Sequence, residues 1–261
     1  MTYSPSGVSD YYTEVARGNI AGSSIMSAMG ERKSIQTTTA GEDIWLGNEL
    51  TPAPTSHTSI PTPDSAGEQM TIVSESGNDA AAGTGARTVE VHYIDAAGAQ
   101  QSEVVELNGT GDADTVATDI RYVNDFHVVT AGTGLVTAGN VKIYKKGTVG
   151  LVYNMIAQGG NKSLVPNRMV PVGYKLVIKS WHTEEAQDKR VNVRLRATSN
   201  ANTVLTDVFL FKDTTFLKKN ASGALPLNIL VPALAIVKVS GWAIQANAEV
   251  GCSWWGELIA D

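Results

Sequence analysis

The sequence has one cysteine, few charges and no long apolar run, and each shortage removes a class of protein. Cys252 alone forms no internal disulfide and supplies no cysteine-based zinc site. It stands between Gly251 and Ser253-Trp254-Trp255 with no basic neighbour to lower its pKa, so a buried, inert thiol is expected. No stretch of about 18 apolar residues exists to span a membrane, and no membrane partner is expected. The opening Met-Thr-Tyr-Ser-Pro-Ser-Gly lacks a basic region followed by an apolar one, so no signal peptide is expected either. Charged residues make up 18% and the net charge is −6, with a pI near 5.3. Gripping nucleic acid needs a concentrated basic surface. The basic runs Lys142–Lys146, Lys189–Arg196 and Lys212–Lys219 all carry apolar residues at strand spacing and read as solvated strand faces. Nucleic acid is therefore not expected as a partner.

Catalytic signatures are missing as well. The four histidines, His57, His92, His127 and His182, are scattered and share no metal-ligand spacing. There is no Gly-x-Ser-x-Gly elbow, no His-Glu-x-x-His and no phosphate-binding Walker loop. His92 and His127 fall in strand patterns and read as polar-face residues. Gly83-Thr84-Gly85 precedes a strand instead of opening a helix, so it reads as a turn. Asp112, Asp114 and Asp119 match only a fragment of a calcium loop and read as a solvated acidic turn. No catalytic residue, metal ligand or cofactor is assigned.

What the sequence does have is glycine, 25 of them, and alternation. Val89, Val91 and Tyr93 alternate with Thr88, Glu90 and His92; Asp95-Ala96-Ala97-Gly98 turns the chain; Val104 to Leu107 returns. Val191, Val193, Leu195 and Ala197 alternate with Asn192, Arg194 and Arg196. Further strands are predicted at 70–73, 120–129, 140–144, 150–157, 174–181, 203–211, 235–242 and 249–259, separated by turns such as Asn220-Ala221-Ser222-Gly223. The pattern predicts an all-β fold: an antiparallel sandwich or jelly-roll body with an extended N-terminal arm.

Three regions follow. Residues 1–40 are Gly/Ser/Thr-rich with few apolar groups, and read as an arm with one helical turn at 10–16 stopped by Gly18. Residues 41–67 hold the apolar anchor Ile44-Trp45-Leu46 and a strap with Pro52, Pro54, Pro61 and Pro63; His57 lies in this strap. Residues 68–261 form the body, with a division into two sub-domains near 160–170 left open.

Val15-Ala16-Arg17-Gly18-Asn19-Ile20, Glu42-Asp43-Ile44-Trp45 and the stretch 83–109 together resemble a family of virion structural proteins from tailed bacteriophages. Val170-Pro171-Val172-Gly173 continues the likeness faintly; Leu46-Gly47-Asn48 departs from it, standing where the family is more glycine-rich. The resemblance implies a non-enzymatic accessory component of capsid, neck or tail, assembled in the host cytoplasm and residing in the virion. Docking would run through residues 1–67, with Tyr11, Tyr12, Met26, Met29, Ile44 and Trp45 as contacts. Copies of the chain itself are the other expected partner, a trimer first. On a strand, Trp254 and Trp255 point to opposite faces, so one of them is expected at a subunit contact. A carbohydrate- or receptor-binding fibre module, stacking sugars on exposed members of the set Trp181, Trp242, Trp254, Trp255, Phe209, Phe211 and Phe216, is the alternative; a sandwich core or a subunit interface uses the same residue types.

Overall fold

The computed structural model describes residues 10–50, 59–198, 209–219 and 225–261. His57, the 220–223 turn and most of the predicted 203–211 strand lie outside the described residues. A short helix, α1 (Tyr11–Ala16), is followed by sixteen strands: β1 (Ser23–Ile35), β2 (Glu42–Asp43), β3 (Met70–Ser74), β4 (Ala86–Asp95), β5 (Gln100–Glu106), β6 (Ala113–Asp114), β7 (Ile120–Ala131) and β8 (Val141–Lys145). Then come β9 (Val152–Ile156), β10 (Arg168–Met169), β11 (Tyr174–Glu185), β12 (Val191–Thr198), β13 (Phe209–Leu217), β14 (Leu225–Val231), β15 (Ile236–Ala243) and β16 (Ala248–Ala260). The fold is all-β and every pairing is antiparallel.

The pairings in the first sandwich are nested. β1 pairs with β16, β2 and β10 with β15, β11 with β14, and β12 with β13. One sheet runs β1-β16-β11-β14; the other runs β10-β15-β12-β13, with β2 also on β15. A long hairpin rolled so that its outermost strands meet gives this order, which is that of a jelly roll. Its core is built by alternation: Val191, Val193, Leu195 and Ala197 of β12 are buried while Asn192, Arg194 and Arg196 stay half-exposed. Trp181 and Trp254 enter the same core from the facing sheet.

The second strand of the roll is split. β2 lies against Ser240 and Gly241 of β15, and β10 lies further along the same strand against Val237 and Ile236. Ile44 N donates to Val239 O at 3.0 Å and Val170 N to Ala235 O at 3.0 Å, so the two pieces share one edge. Between them the chain leaves to build a second sandwich, from sheets β6-β3-β8-β9 and β5-β4-β7. Met70, Ile72, Val89, Val91, Phe126 and Ile143 fill its core. At the β4–β5 turn Gly98 has φ +88°, and Asp95 holds the turn by accepting from Ala99 N at 2.8 Å.

Two apolar seams join the sandwiches. In one, Trp45, Leu46, Leu50 and Ile60 pack with Tyr144 and Met155. In the other, Ile94 and Tyr122 pack with Met169, Leu234 and Ile236. Asn124 of β7 completes the second seam: its amide bonds both Met169 N, at 2.7 Å, and Met169 O, at 3.0 Å, as a neighbouring strand would. This is why β7 is buried on both sides, beyond the simple alternation expected of it.

The segment expected to be a separate arm is laid out differently. Residues 23–35 form β1, paired with β16 of the same chain from Ser23–Ile259 to Ile35–Ala248. Met26, Ala28 and Ile35 enter the roll core. β1 carries small and polar residues because it must pass close to other backbone. A Cβ on Gly30 would sit 2.3 Å from the Pro166 ring. Only α1 behaves as the sequence outlines it, ending where Gly18 takes φ +74° and Asn19 N reaches Glu14 O at 2.9 Å.

Candidate interaction surfaces and a histidine–carboxylate cluster

Ile44 and Trp45, expected to meet other virion proteins, are instead buried in their own chain, Ile44 in the roll core and Trp45 in a seam. An apolar pair with these two packing destinations offers nothing to a partner. The acidic residues before it do the joining. Glu42 accepts from Arg32 Nε at 2.7 Å, with both side chains buried. Asp43 Oδ1 accepts from Ser240 Oγ at 2.7 Å and Arg196 Nη2 at 3.0 Å; Oδ2 accepts from Ile60 N at 3.0 Å and Lys238 Nζ at 3.1 Å. Burial pushes the Asp43 carboxyl up, but the Lys238 and Arg196 cations, with the Ser240 and Ile60 hydrogen bonds, outweigh it and hold it below the usual range.

Met26 and Trp254 are core residues too; Trp254 Nε1 donates to Pro166 O at 2.8 Å. Trp255, on the opposite face of β16, meets Tyr12 edge-on at 5.2 Å, and Tyr12 meets Tyr11 at the same distance. The Lys179 ammonium lies 5.6 Å from the Tyr12 ring, and Tyr11 OH donates to Glu257 Oε1 at 2.6 Å. So α1 of the same chain covers part of the outward tryptophan. Tyr11 and Met29 remain exposed beside it.

A second surface lies on the outer face of the β15 sheet. The Arg194 guanidinium sits 4.4 Å from the ring centres of both Phe211 and Trp242, and Arg196 lies 5.1 Å from Phe209 and 5.2 Å from Trp242. Stacked planar cations of this kind keep an aromatic face rigid while leaving it wet. Among the described residues β13 is the sheet's last strand, and Leu210, Phe211 and Phe216 stand exposed along it, Phe216 at 74%. By sequence these phenylalanines read equally as sugar contacts, core residues or interface residues. The signal for an open edge was the crowding of apolar residues on both parities of one short strand.

The chemistry-bearing residues fall into place as follows. Asp112 accepts from Tyr144 OH at 2.8 Å, and Asp114 pairs Lys146 at 2.6 Å and the Thr71 hydroxyl at 2.6 Å, so each has a separate partner. Cys252 is buried, and burial pushes its thiol up. His182 lines a shallow hollow of about 430 Å³ with Met29, Glu31, Glu184 and Glu249. His92 and His127, by contrast, come together. Glu90 and His92 project from one side of β4, and His127 stands opposite Glu90 on β7. Nε2 of each histidine lies 3.4 Å from Glu90 Oε2. The two rings stack at 5.4 Å with 16° between their planes.

No protein-family model matches the chain, and no curated protein matches it in sequence. Among solved structures, it is similar to a chain of the infectious bursal disease virus Gx strain at 7% identity and a TM-score of 0.28, covering 91% of this chain and 72% of that one. It is also similar to a chain of cowpea mosaic virus top component, naturally occurring empty particles, at 9% identity and a TM-score of 0.20, covering 77% and 85%. Likenesses this slight carry no functional weight.

Proposed function

We propose that this chain is a non-enzymatic structural protein of a virus particle, an accessory component of a tailed-phage virion that works as a homo-oligomer. The observation that carries the reading is the jelly roll with a second sandwich spliced into its second strand. Such a body presents stiff faces and sheet edges suited to symmetric contacts. The short strings that resemble phage structural proteins support it, since Glu42-Asp43-Ile44-Trp45 is the segment that locks the splice together. Fold alone does not specify function, so the surfaces matter. The open β13 edge with Phe211 and Phe216 is the contact for a second copy of this chain, the first expectation being a trimer around it.

Light scattering on the purified chain, with mass spectrometry of purified particles from the genome that encodes it, tests the reading. An oligomer that Phe216→Asp converts to monomer, and the chain's presence in the particles, are the expected results. A monomer at tens of micromolar that is also missing from particles would overturn it. A carbohydrate-binding role is favoured by one observation, the shared outer face of Phe209, Phe211 and Trp242. Quenching of tryptophan fluorescence by host-surface glycans would mark that alternative.

A further inference from the structure

We propose that Glu90, His92 and His127 form a binding site for a transition-metal dication of the zinc class. The inference stands independently of the virion reading. Glu90 and His92 are two residues apart on one strand face, and His127 is Glu90's cross-strand partner, so a sheet hydrogen-bonded on both sides of β4 fixes all three. Among the described residues, their ligand atoms are the one set of three such groups that all lie within 4.8 Å of one another.

The distances favour a shared cation over direct bonding. Each Nε2 to Glu90 Oε2 separation is 3.4 Å, beyond the range of about 2.7–3.2 Å in which such groups hydrogen-bond well. Ligands about 2.0–2.1 Å from a tetrahedral ion stand about 3.3–3.4 Å apart along each edge. The observed spacing matches that edge twice over. Lys162, bridged to His127 through the backbone, does not fill the place: it pairs with Asp125 at 2.9 Å. Asp125 itself, facing His92 across the strands, is occupied by Lys162 and Arg168.

Two imidazoles and one carboxylate suit zinc, cobalt, nickel or copper, and suit calcium and magnesium poorly, since those prefer six or more oxygens. The three side chains are between a quarter and a third exposed, which gives an ion access from solvent and leaves its fourth position to water. Binding would clip β4 to β7 and stiffen one sheet of the inserted sandwich.

The test titrates the chelator-treated full chain with zinc chloride while following thermal unfolding, and with cobalt chloride while following visible absorption. Expected are one ion per chain, a midpoint roughly 5–11 °C higher at a hundredfold excess over Kd, and the d–d bands of four-coordinate cobalt. Magnesium and calcium should leave the midpoint unmoved. His127→Gln and Glu90→Gln should each weaken binding at least tenfold, and His182→Gln should not; circular dichroism checks that each variant folds, and His92→Gln replaces one that does not. Lack of saturable zinc binding by the wild-type chain would overturn the proposal. So would binding that survives both substitutions in folded variants.

Discussion

Changing Asp43 to Asn removes the charge that faces the buried Lys238 and the half-buried Arg196. The carboxylate is 2% exposed, and Lys238 beside it is 4% exposed. Deleting one partner of a buried ion pair typically costs about 3–5 kcal/mol, because the other charge is left uncompensated. Asn keeps one acceptor oxygen for Ile60 N, and its amide N–H can donate to the Ser240 hydroxyl, so the low end, about 3 kcal/mol, is expected here. At about 2–4 °C per kcal/mol this lowers the thermal midpoint by roughly 6–12 °C. The pH dependence has a definite sign. The folded pKa of Asp43 is depressed, so its contribution is complete above the unfolded value of about 3.9 and fades as pH falls through the folded one. Urea unfolding at pH 7, 5 and 3 should show a full gap between wild type and variant at the first two and a narrower one at the third. Adding Lys238→Met should recover part of the loss, by about 1–3 kcal/mol of coupling. A neutral-pH difference below about 1 kcal/mol, in a folded variant, would refute the claim that this carboxylate holds the split strand.

Two further outcomes follow from the packing. Asp79 is fully buried and accepts from Ala86 N, Ala138 N, Gly139 N and Ser74 Oγ at 2.6–2.9 Å, so Asp79→Ala strands three backbone donors and should cost at least about 3 kcal/mol in chemical denaturation. Deleting residues 1–40 removes β1 and bares the long edge of β16, so the truncated chain should lose its cooperative unfolding transition; a retained transition would show that the roll closes without its first strand.

Strands with one clean face were legible in the sequence. β12, the β4–β5 hairpin and β16 alternate because each has a dry side and a wet side, and Gly98 marks a turn that needs positive φ. β1 was not legible. Its inward residues are Met26, Ala28, Gly30 and Arg32, chosen for close approach and for pairing with Glu42, and such a row scores as linker by composition. β14 was missed as well; it lies at a sheet edge, where its Pro226 is tolerated. The histidine–carboxylate cluster was hidden for another reason. Glu90 and His127 are 37 residues apart in sequence (127 minus 90), and only the register of β4 on β7 sets them side by side.

The burial of Glu42 and Asp43 follows from the splice itself. An edge strand has one neighbour, so interrupting it breaks a single ladder, and here that ladder is β15's. Two pieces of two residues cannot hold an edge by backbone bonds alone, because so few hydrogen bonds do not offset the ordering of the chain on either side of the break. The fold adds side-chain bonds at the break. Asp43 reaches Lys238 and Ser240 on β15, Arg196 on β12 and Ile60 on the departing chain, while Asn124 grips Met169 on the returning piece. Lys238 closes the circuit by donating to Ile60 O at 2.9 Å. Each link needs a charge or an amide where a strand interior would ordinarily place an apolar residue. An acidic pair directly before Ile44-Trp45 is therefore what an interrupted roll requires, and the insertion can be as large as a whole sandwich because the break, and not the length of the loop, sets the cost.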